Sequence, residues 1–183
     1  MIFPIYGLTL YDLYNEAHTP WEWQKELMGY ANAIGLILFS TFFDMTVVNF
    51  FEKLIVPVYK VASFEIMDIL LIEYIASKGK PMIMSTGIAT LSDIEEARDA
   101  YKCMRNNEII LLKCTSFYPA KIEDTNLKTI PNMKEIFDVE VGLSCYTLGI
   151  TVPMVSIALG TKDIEKHLIL DKSIGGSGGE FFA

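Results

Sequence analysis

The sequence predicts an α/β protein whose parallel strands form an incomplete (β/α)8 barrel of the TIM type, with about six βα units legible. Short apolar runs alternate with amphipathic helical patterns, and each run is almost continuously apolar, as parallel strands covered on both faces should be. The predicted strands lie at residues 35–43, 56–64, 81–87, 108–116, 139–147 and 163–170. An open doubly wound sheet is the alternative, but no G-x-G-x-x-G follows a predicted strand, which leaves a dinucleotide-binding sheet with little support.

The helices predicted between these strands begin at capping residues and carry one apolar face each. The first opens after Thr19 with Glu22 as its capping-box partner, another begins near Asp68, and a third opens at Ser92 with Glu95. The faces predicted to be buried are Trp23, Leu27, Tyr30 and Ile34; Val47, Phe50, Phe51 and Leu54; Leu71, Tyr74 and Ile75; and Ile94, Ala97, Tyr101 and Met104.

Composition excludes several classes of protein. The chain has 183 residues, of which 51% are hydrophobic, so it can bury a sizeable core and is not intrinsically disordered. Its formal net charge of −8 disfavours a nucleic-acid partner, because such a chain repels phosphate backbones. Cys103, Cys114 and Cys145 are odd in number and form no C-x-x-C motif, which indicates a reducing, cytoplasmic location.

One uncharged run, residues 141–161, has the length of a membrane span. It contains glycine, serine, threonine and proline at too many positions for a bilayer core, among them Gly142, Ser144, Thr147 and Pro153. We therefore expect a buried strand followed by a buried helix, and no membrane partner.

Small hydroxyls and charges follow the apolar runs, where the carboxyl ends of parallel strands would meet and where βα barrels hold their active sites. A ring of hydroxyls with a lysine suits a phosphate or a carboxylate. The alternative is that the hydroxyls cap helices and the lysine faces solvent. These strand-end residues are Ser40, Thr41, Lys60, Ser63, Glu65, Ser85, Thr86, Thr115, Ser116, Ser144, Glu165, Lys166 and His167.

Two residues near this rim have chemistry of their own. Glu65 is a candidate general acid or base, or else a solvated loop carboxylate. His167 is one of two histidines, and a histidine without a second one nearby in sequence is more often structural than a metal ligand.

Several long blocks resemble the sialic acid synthase family, and nearly the whole chain is covered. They are YKVASFEI (59–66), GKPMIMSTGIATLSDIEEA (79–97), CTSFYPAKIEDTNLKTIP (114–131), LGITVP (148–153) and IEKHLILDKSIGG (164–176). LYDLYNEAHTPWEW (10–23) and ASFEI (62–66) look closest to the pseudaminic acid synthase branch. Ordered blocks of this length are more specific than any short motif.

The resemblance implies a transferase that condenses phosphoenolpyruvate with the open aldehyde form of an N-acetylated amino sugar, giving a nonulosonic acid and phosphate. It implies Mn²⁺ or Mg²⁺ as a Lewis acid, and a homodimer in which a small antifreeze-like domain caps the partner's site. Glu65 falls where a carboxylate faces the reacting centre, Tyr118 near the sugar, and His167 at one of two metal-binding histidines. The positions that match the family's phosphoenolpyruvate site are Thr41, Lys60, Ser63, Ser85, Ser116 and Ser144.

The sequence departs from the family pattern at three places. Cys145 and Tyr146 stand where the family reads Asp-His, and that histidine is the second metal ligand; a phenol binds divalent ions weakly. Cys145 also removes a charge expected beside the metal. Residues 41–43 read Thr-Phe-Phe instead of Thr/Ser-Pro-Phe, and residues 175–178 read Gly-Gly-Ser-Gly instead of Gly-Gly-Pro-Asp.

By this resemblance, residues 1–183 are expected to form a single barrel domain without the first strands and without the capping domain. The function predicted is that of a pseudaminic acid synthase-like enzyme. Two alternatives stay open: an inactive remnant or fragment of such a synthase that retains at most phosphate binding, and an unrelated phosphate-binding barrel such as an aldolase.

Overall fold

The computed structural model describes residues 9–174, apart from the side chains of Leu10, Leu13 and Ile174. The chain divides into two compact units, Met1–Leu38 and Phe39–Ala183. The Gly-Gly-Ser-Gly departure at residues 175–178 lies outside the described residues.

The first unit contains helices α1 (Leu10–Ala17) and α2 (Trp21–Ala33). Helix α1, which the sequence analysis did not predict, begins with a reciprocal capping box between Thr9 and Asp12. The capping box predicted at the start of α2 is wrong, because Pro20 occupies the N-cap position and makes no side-chain hydrogen bond there.

The face of α2 predicted to be buried is also wrong. Its buried residues are Met28 and Ala31, which lie three positions apart on one face. A helix with apolar residues on two faces leaves the sequence pattern undecided about which face packs. The residues predicted to be buried are exposed: Trp23, Leu27, Tyr30 and Ile34.

The second unit is built on a sheet of five parallel strands in the order β1-β2-β3-β4-β5. Strand order follows chain order without reversal, which is the winding of a barrel rather than of a doubly wound sheet. The strands are β1 (Tyr59–Val61), β2 (Met82–Ser85), β3 (Ile109–Cys114), β4 (Glu140–Cys145) and β5 (Ile164–Lys166). The predicted α/β, incomplete-barrel fold is confirmed.

The sheet is curled strongly enough to bring side chains from its two edge strands together. Lys60 lies on β1 and Glu165 on β5, at opposite ends of the strand order. Even so, the Lys60 Nζ and Glu165 Oε2 atoms are 3.5 Å apart. A flat five-stranded sheet would place these strands almost 20 Å apart, because neighbouring strands are separated by about 4.8 Å.

The helices of the second unit are α3 (Met45–Glu52), α4 (Ile69–Ala76), α5 (Leu91–Cys103), α6 (Thr129–Phe137) and α7 (Thr151–Ala158). The start of α4 is confirmed, since the Asp68 side chain accepts a hydrogen bond from the Leu71 N–H. The start of α5 lies two residues earlier than predicted, with Thr90 and Asp93 forming the capping box in place of Ser92 and Glu95.

The predicted helix faces of this unit are largely confirmed. Leu71 and Ile75 of α4 and Ile94, Ala97 and Tyr101 of α5 are buried, whereas Met104 at the end of α5 is exposed. On α3 the most buried residues are Val48 and Phe51, and the predicted Val47, Phe50 and Leu54 are partly buried.

The predicted strand at residues 35–43 contributes only one bridge, between Thr41 and Lys60. The Phe42 N–H donates to the Lys60 carbonyl. Phe42, at the second Thr-Phe-Phe position, is fully buried, and its ring makes edge-on contacts with the rings of Phe51 and Tyr59. This anchor fixes Thr41 beside β1, but the pairing does not extend into a strand.

The uncharged run at residues 141–161 forms most of β4 and all of α7. Strand β4 is buried as predicted, but α7 is buried on one face only, through Val152, Pro153 and Ser156. Within residues 9–174, no helix is long and apolar enough to cross a bilayer.

Candidate active site

The candidate site lies at the carboxyl ends of the strands. Because all five strands are parallel, their carboxyl ends form one rim. Strands β2 and β3 end at Ser85 and Cys114, and Ser144, Cys145 and Lys166 lie at the ends of β4 and β5. The sequence therefore assembles its strand-end polar residues along a single line.

A continuous chain of polar contacts crosses the concave side of this rim. The Lys60 amine donates to Ser85 Oγ at 2.7 Å and lies 3.5 Å from the carboxylate of Glu165. The other oxygen of that carboxylate accepts from Ser144 Oγ at 2.7 Å. Lys60, Ser85 and Ser144 are each at most 5% exposed. The structure therefore brings Lys60, Ser85 and Ser144 together, and the Lys60 side chain is buried and does not face solvent.

A second cluster surrounds Gly87, just beyond β2. The Gly87 N–H donates to Ser63 Oγ at 3.1 Å, and Ser63 Oγ lies 3.4 Å from Cys114 Sγ. A Cβ built on Gly87 would lie 2.2 Å from Ser116 Oγ and 3.0 Å from both Ser63 Oγ and Cys114 Sγ. Only glycine leaves room for these three side chains to converge. The hydroxyls of Ser63 and Ser116 therefore form one cluster beside Gly87.

Three rings form an aromatic cluster at the ends of β4 and β5. The Tyr118 ring packs edge-on against Tyr146 at 4.6 Å and against His167 at 5.5 Å. The rings of Tyr146 and His167 are also 5.5 Å apart. Burial raises the pKa of Tyr118, and Tyr146 raises it further, which keeps the phenol protonated. Burial lowers the pKa of His167, which favours the neutral imidazole at neutral pH.

Glu65 follows β1 in a short 3₁₀ turn, Glu65–Met67. Its Oε2 atom is buried and has no hydrogen-bond partner among the described residues. Burial raises the pKa of the Glu65 carboxyl, an effect that Lys60 opposes and Asp68 reinforces. A carboxyl whose pKa is raised in this way holds its proton more tightly than an ordinary carboxyl does, which suits an acid–base group.

The sequence prediction gave no individual role to Glu165, Cys114 or Gly87. Glu165 was recognised only as one of several polar strand ends. The signal that could have found it is register: Ser144 pairs with Glu165 in the parallel ladder, so both side chains point to the same face of the sheet. Thr41 is held beside Lys60 by backbone pairing, as expected for a residue at this rim.

The structure corrects the expectation that Cys145 lies beside a metal. Alternation along β4 places Cys145 on the opposite face from Ser144, where it is buried with Leu143 and Val152. Its Sγ lies 3.3 Å from Thr147 Oγ1 and 4.0 Å from Lys166 Nζ. Cys145 therefore lies at the end of β4 but on the helix-facing side of the sheet, away from the concave side that holds Lys60, Ser85 and Ser144.

The described residues do not fit the Mn²⁺ or Mg²⁺ ion that the family resemblance implies. Within residues 9–174, no group of three or more histidine, cysteine, aspartate or glutamate side chains lies close enough to hold a metal. His167 packs against the phenol ring of Tyr146, which stands where the resemblance implies a second histidine. Phenols are weak ligands for these ions.

Comparison with known proteins decides the family. The family model described as "NeuB family" matches residues 6–181. The chain belongs to the NeuB family. Pseudaminic acid synthase from Helicobacter pylori is 46% identical over 90% of this chain and 48% of its own length. N,N'-diacetyllegionaminic acid synthase from Legionella pneumophila is 39% identical over 80% of this chain and 42% of its own length.

Solved structures of NeuB-type proteins agree. The N-acetylneuraminic acid synthetase from Leptospira borgpetersenii, solved in complex with citrate, superposes with a TM-score of 0.90 at 31% identity. It covers 94% of this chain, which in turn covers 60% of it. The predicted sialic acid synthase resemblance, including the pseudaminic acid synthase branch, is confirmed. The chain spans about half the length of the curated relatives it matches.

Proposed function

We propose that this chain acts in a phosphoenolpyruvate-dependent nonulosonic acid synthase of the pseudaminic acid type. Membership of the NeuB family and 44–46% identity to pseudaminic acid synthases support this proposal. The observation that carries it is the buried Lys60 amine, held at the rim between Ser85 Oγ and the Glu165–Ser144 pair. A buried amine surrounded by hydroxyls is a site for an oxyanion.

Phosphoenolpyruvate carries two oxyanions, a carboxylate and a phosphate, and the rim offers two groups of donors. Lys60, Ser85 and Ser144 form one group, and Ser63 and Ser116 around Gly87 form the other. In the proposed reaction the alkene carbon forms a bond to the sugar's aldehyde carbon, and water adds at the neighbouring carbon. The carbon–oxygen bond to phosphate then breaks, so phosphoenolpyruvate, sugar and water yield the nine-carbon acid and phosphate.

Three further residues receive roles in this proposal. The Glu65 carboxyl, with its raised pKa, exchanges a proton with the sugar at the reacting centre. Tyr118 is half exposed at the rim and remains a phenol, which allows it to donate a hydrogen bond to the sugar. Thr41, paired beside Lys60, extends the anion site toward the edge of β1.

A divalent ion stays a proposal with a specific difficulty. When bound, Mn²⁺ or Mg²⁺ would polarise the sugar's aldehyde. His167 is one donor, and the described residues supply no complete ligand set around it. The homodimer, the cytoplasmic location and the lack of a nucleic-acid partner likewise remain predictions, the last supported by the net charge of −8.

The test is phosphate release from phosphoenolpyruvate by the purified chain, with Mn²⁺ and each candidate N-acetylated amino sugar, after circular dichroism has shown that it is folded. Release that depends on the sugar is the expected result. Folded protein that binds phosphoenolpyruvate without releasing phosphate would favour the alternative, a remnant or fragment that retains phosphate binding.

Titration calorimetry with Lys60→Ala tests the anion site itself. Loss of a charge-assisted contact is expected to weaken phosphoenolpyruvate binding by about 1.5–3 kcal/mol. The matched control is Lys128→Ala, which removes the same charge at an exposed position and should bind as the parent does. Equal affinities for all three proteins would remove Lys60 from the site.

A further inference from the structure

Glu165 makes the contacts that the proposed site offers to its ligand. One oxygen of its carboxylate faces the Lys60 amine at 3.5 Å, and the other accepts from the Ser144 hydroxyl at 2.7 Å. A carboxylate is also the chemical class of one end of phosphoenolpyruvate. The side chain of this residue therefore satisfies, from within the chain, an amine and a hydroxyl assigned to the incoming anion.

The contact between Lys60 and Glu165 also changes the charge that an incoming anion meets at the rim. Lys60 is neutralised by Glu165, so an anion approaching the rim meets an ion pair rather than a free cation. Two other lysines near the strand ends donate hydrogen bonds to nearby backbone carbonyls. Lys166 Nζ donates to the Thr147 carbonyl at 2.6 Å, and Lys113 Nζ donates to the Cys114 carbonyl at 2.8 Å. An anion thus gains full attraction from Lys60 only by displacing Glu165.

Burial shows which partner of the pair gives way. The Lys60 side chain is 7% exposed, whereas the Glu165 side chain is 40% exposed. Glu165 can rotate into water at little desolvation cost, because its carboxylate is already partly hydrated. Lys60 has no such route and also keeps its hydrogen bond to Ser85 Oγ at 2.7 Å.

We propose that Glu165 occupies the anion's place while the site is empty and competes with the ligand for Lys60 and Ser144. It keeps the buried amine paired in the absence of ligand, and it lowers anion affinity by the free energy needed to break its own contacts. Glu165 is thus an affinity-setting residue. This inference rests on the proposed anion site and adds to it a residue whose removal should strengthen binding.

Titration calorimetry with inorganic phosphate tests the competition. Glu165→Gln keeps an acceptor for Ser144 but removes the charge facing Lys60, so we expect phosphate to bind about 5- to 10-fold more tightly than to the parent. Glu140→Gln is the matched control. The Glu140 carboxylate pairs with Lys134 and Lys162 and not with Lys60. Its removal should therefore leave phosphate affinity at the parent value.

The outcomes separate this inference from the proposed function. Lys60→Ala binding phosphate as well as the parent would overturn both. Lys60→Ala losing affinity while Glu165→Gln binds no more tightly than the parent would overturn the competition alone. A crystal structure of the parent with phosphate covers the case in which Glu165→Gln does not fold. Phosphate at Lys60 with Glu165 turned away is expected, and phosphate there with Glu165 still bridging Lys60 and Ser144 would contradict the inference.

Discussion

At the scale of single residues, the burial that makes Glu65 a candidate acid–base group also affects the stability of the fold. Its Oε2 atom is buried and has no hydrogen-bond partner within residues 9–174, and burial raises the pKa of its carboxyl. A raised folded-state pKa means that the folded protein holds this proton more tightly than the unfolded chain does. The residue therefore favours folding below its unfolded pKa, and this advantage is lost as the pH rises through the folded pKa.

We expect Glu65→Gln to be more stable than the parent at pH 7, because the amide cannot ionise. Since the side chain is only partly buried, the gain should be modest, about 1–3 °C in Tm. Melting curves followed by circular dichroism at pH 7 and at pH 4 provide the measurement. The difference should shrink at the lower pH, and a variant that loses stability at pH 7 would show that the ionised carboxylate is well solvated.

The neighbouring residues Cys145 and Tyr146 differ in what they can contribute to a metal site. Tyr146 packs against His167, whereas Cys145 points into the layer beneath α7. Tyr146→His would place a second imidazole beside His167, so we expect it to raise Mn²⁺ affinity, by about 10-fold or more. Cys145→Asp is the control and should leave Mn²⁺ affinity unchanged. Calorimetric titration with Mn²⁺ measures these affinities. Equal affinities for Tyr146→His and the parent would refute the placement of the metal site beside Tyr146 and His167.

At the scale of elements, the start of α5 shows how a sequence can contain two valid caps. The stretch Thr90-Leu-Ser-Asp-Ile-Glu95 contains T-x-x-D and S-x-x-E, and both satisfy the capping-box pattern. The structure uses Thr90, whose hydroxyl accepts from the Asp93 N–H at 3.2 Å, while Asp93 Oδ2 accepts from the Thr90 N–H at 2.8 Å.

A pair of alanine substitutions distinguishes these two caps. Thr90→Ala should destabilise the protein by about 0.5–2 kcal/mol, the cost of losing a side-chain cap. Ser92→Ala lies in the first turn, exposed to solvent, and should change the free energy of unfolding by less than about 0.5 kcal/mol. Urea unfolding followed by circular dichroism measures both, and a larger effect at Ser92 would move the helix start to the position predicted from sequence.

A part of the fold could be predicted from the sequence when the interactions that form it are local along the chain. The positions of β1 to β5 and the N-cap of α4 depend on local patterns, and the sequence contains those patterns. The buried face of α2 and the reduction of the 35–43 run to one bridge at Thr41 depend on which neighbour packs where. The site divides in the same way: strand ends predicted Lys60, Ser85 and Ser144, but the Lys60–Glu165 contact requires the curl of the whole sheet.

At the scale of the whole molecule, the central strands of the sheet are paired on both sides, whereas within residues 9–174 the outer edge of β5 has no paired strand. Strand β3 hydrogen-bonds to β2 and β4, and β4 to β3 and β5, whereas among the described residues β5 pairs with β4 alone. A strand paired on one side opens more easily than one paired on both. Burial agrees, since β3 is mostly buried while all of β5 is at least partly exposed.

Hydrogen exchange should therefore rank the strands by their place in the sheet. We expect the amides of β3 and β4 to exchange slowest and those of β5 to exchange fastest among the strands, by about 10-fold or more in rate. Mass spectrometry of exchanged peptides from the intact chain provides the measurement at one protein concentration, and a dilution series provides the control. Protection of β5 equal to that of β3 at all concentrations would contradict the open edge. Protection of β5 that appears only at high concentration would instead mean that another copy of the chain covers this edge. An exposed edge strand can bind such a partner because its N–H and C=O groups on that side are unpaired.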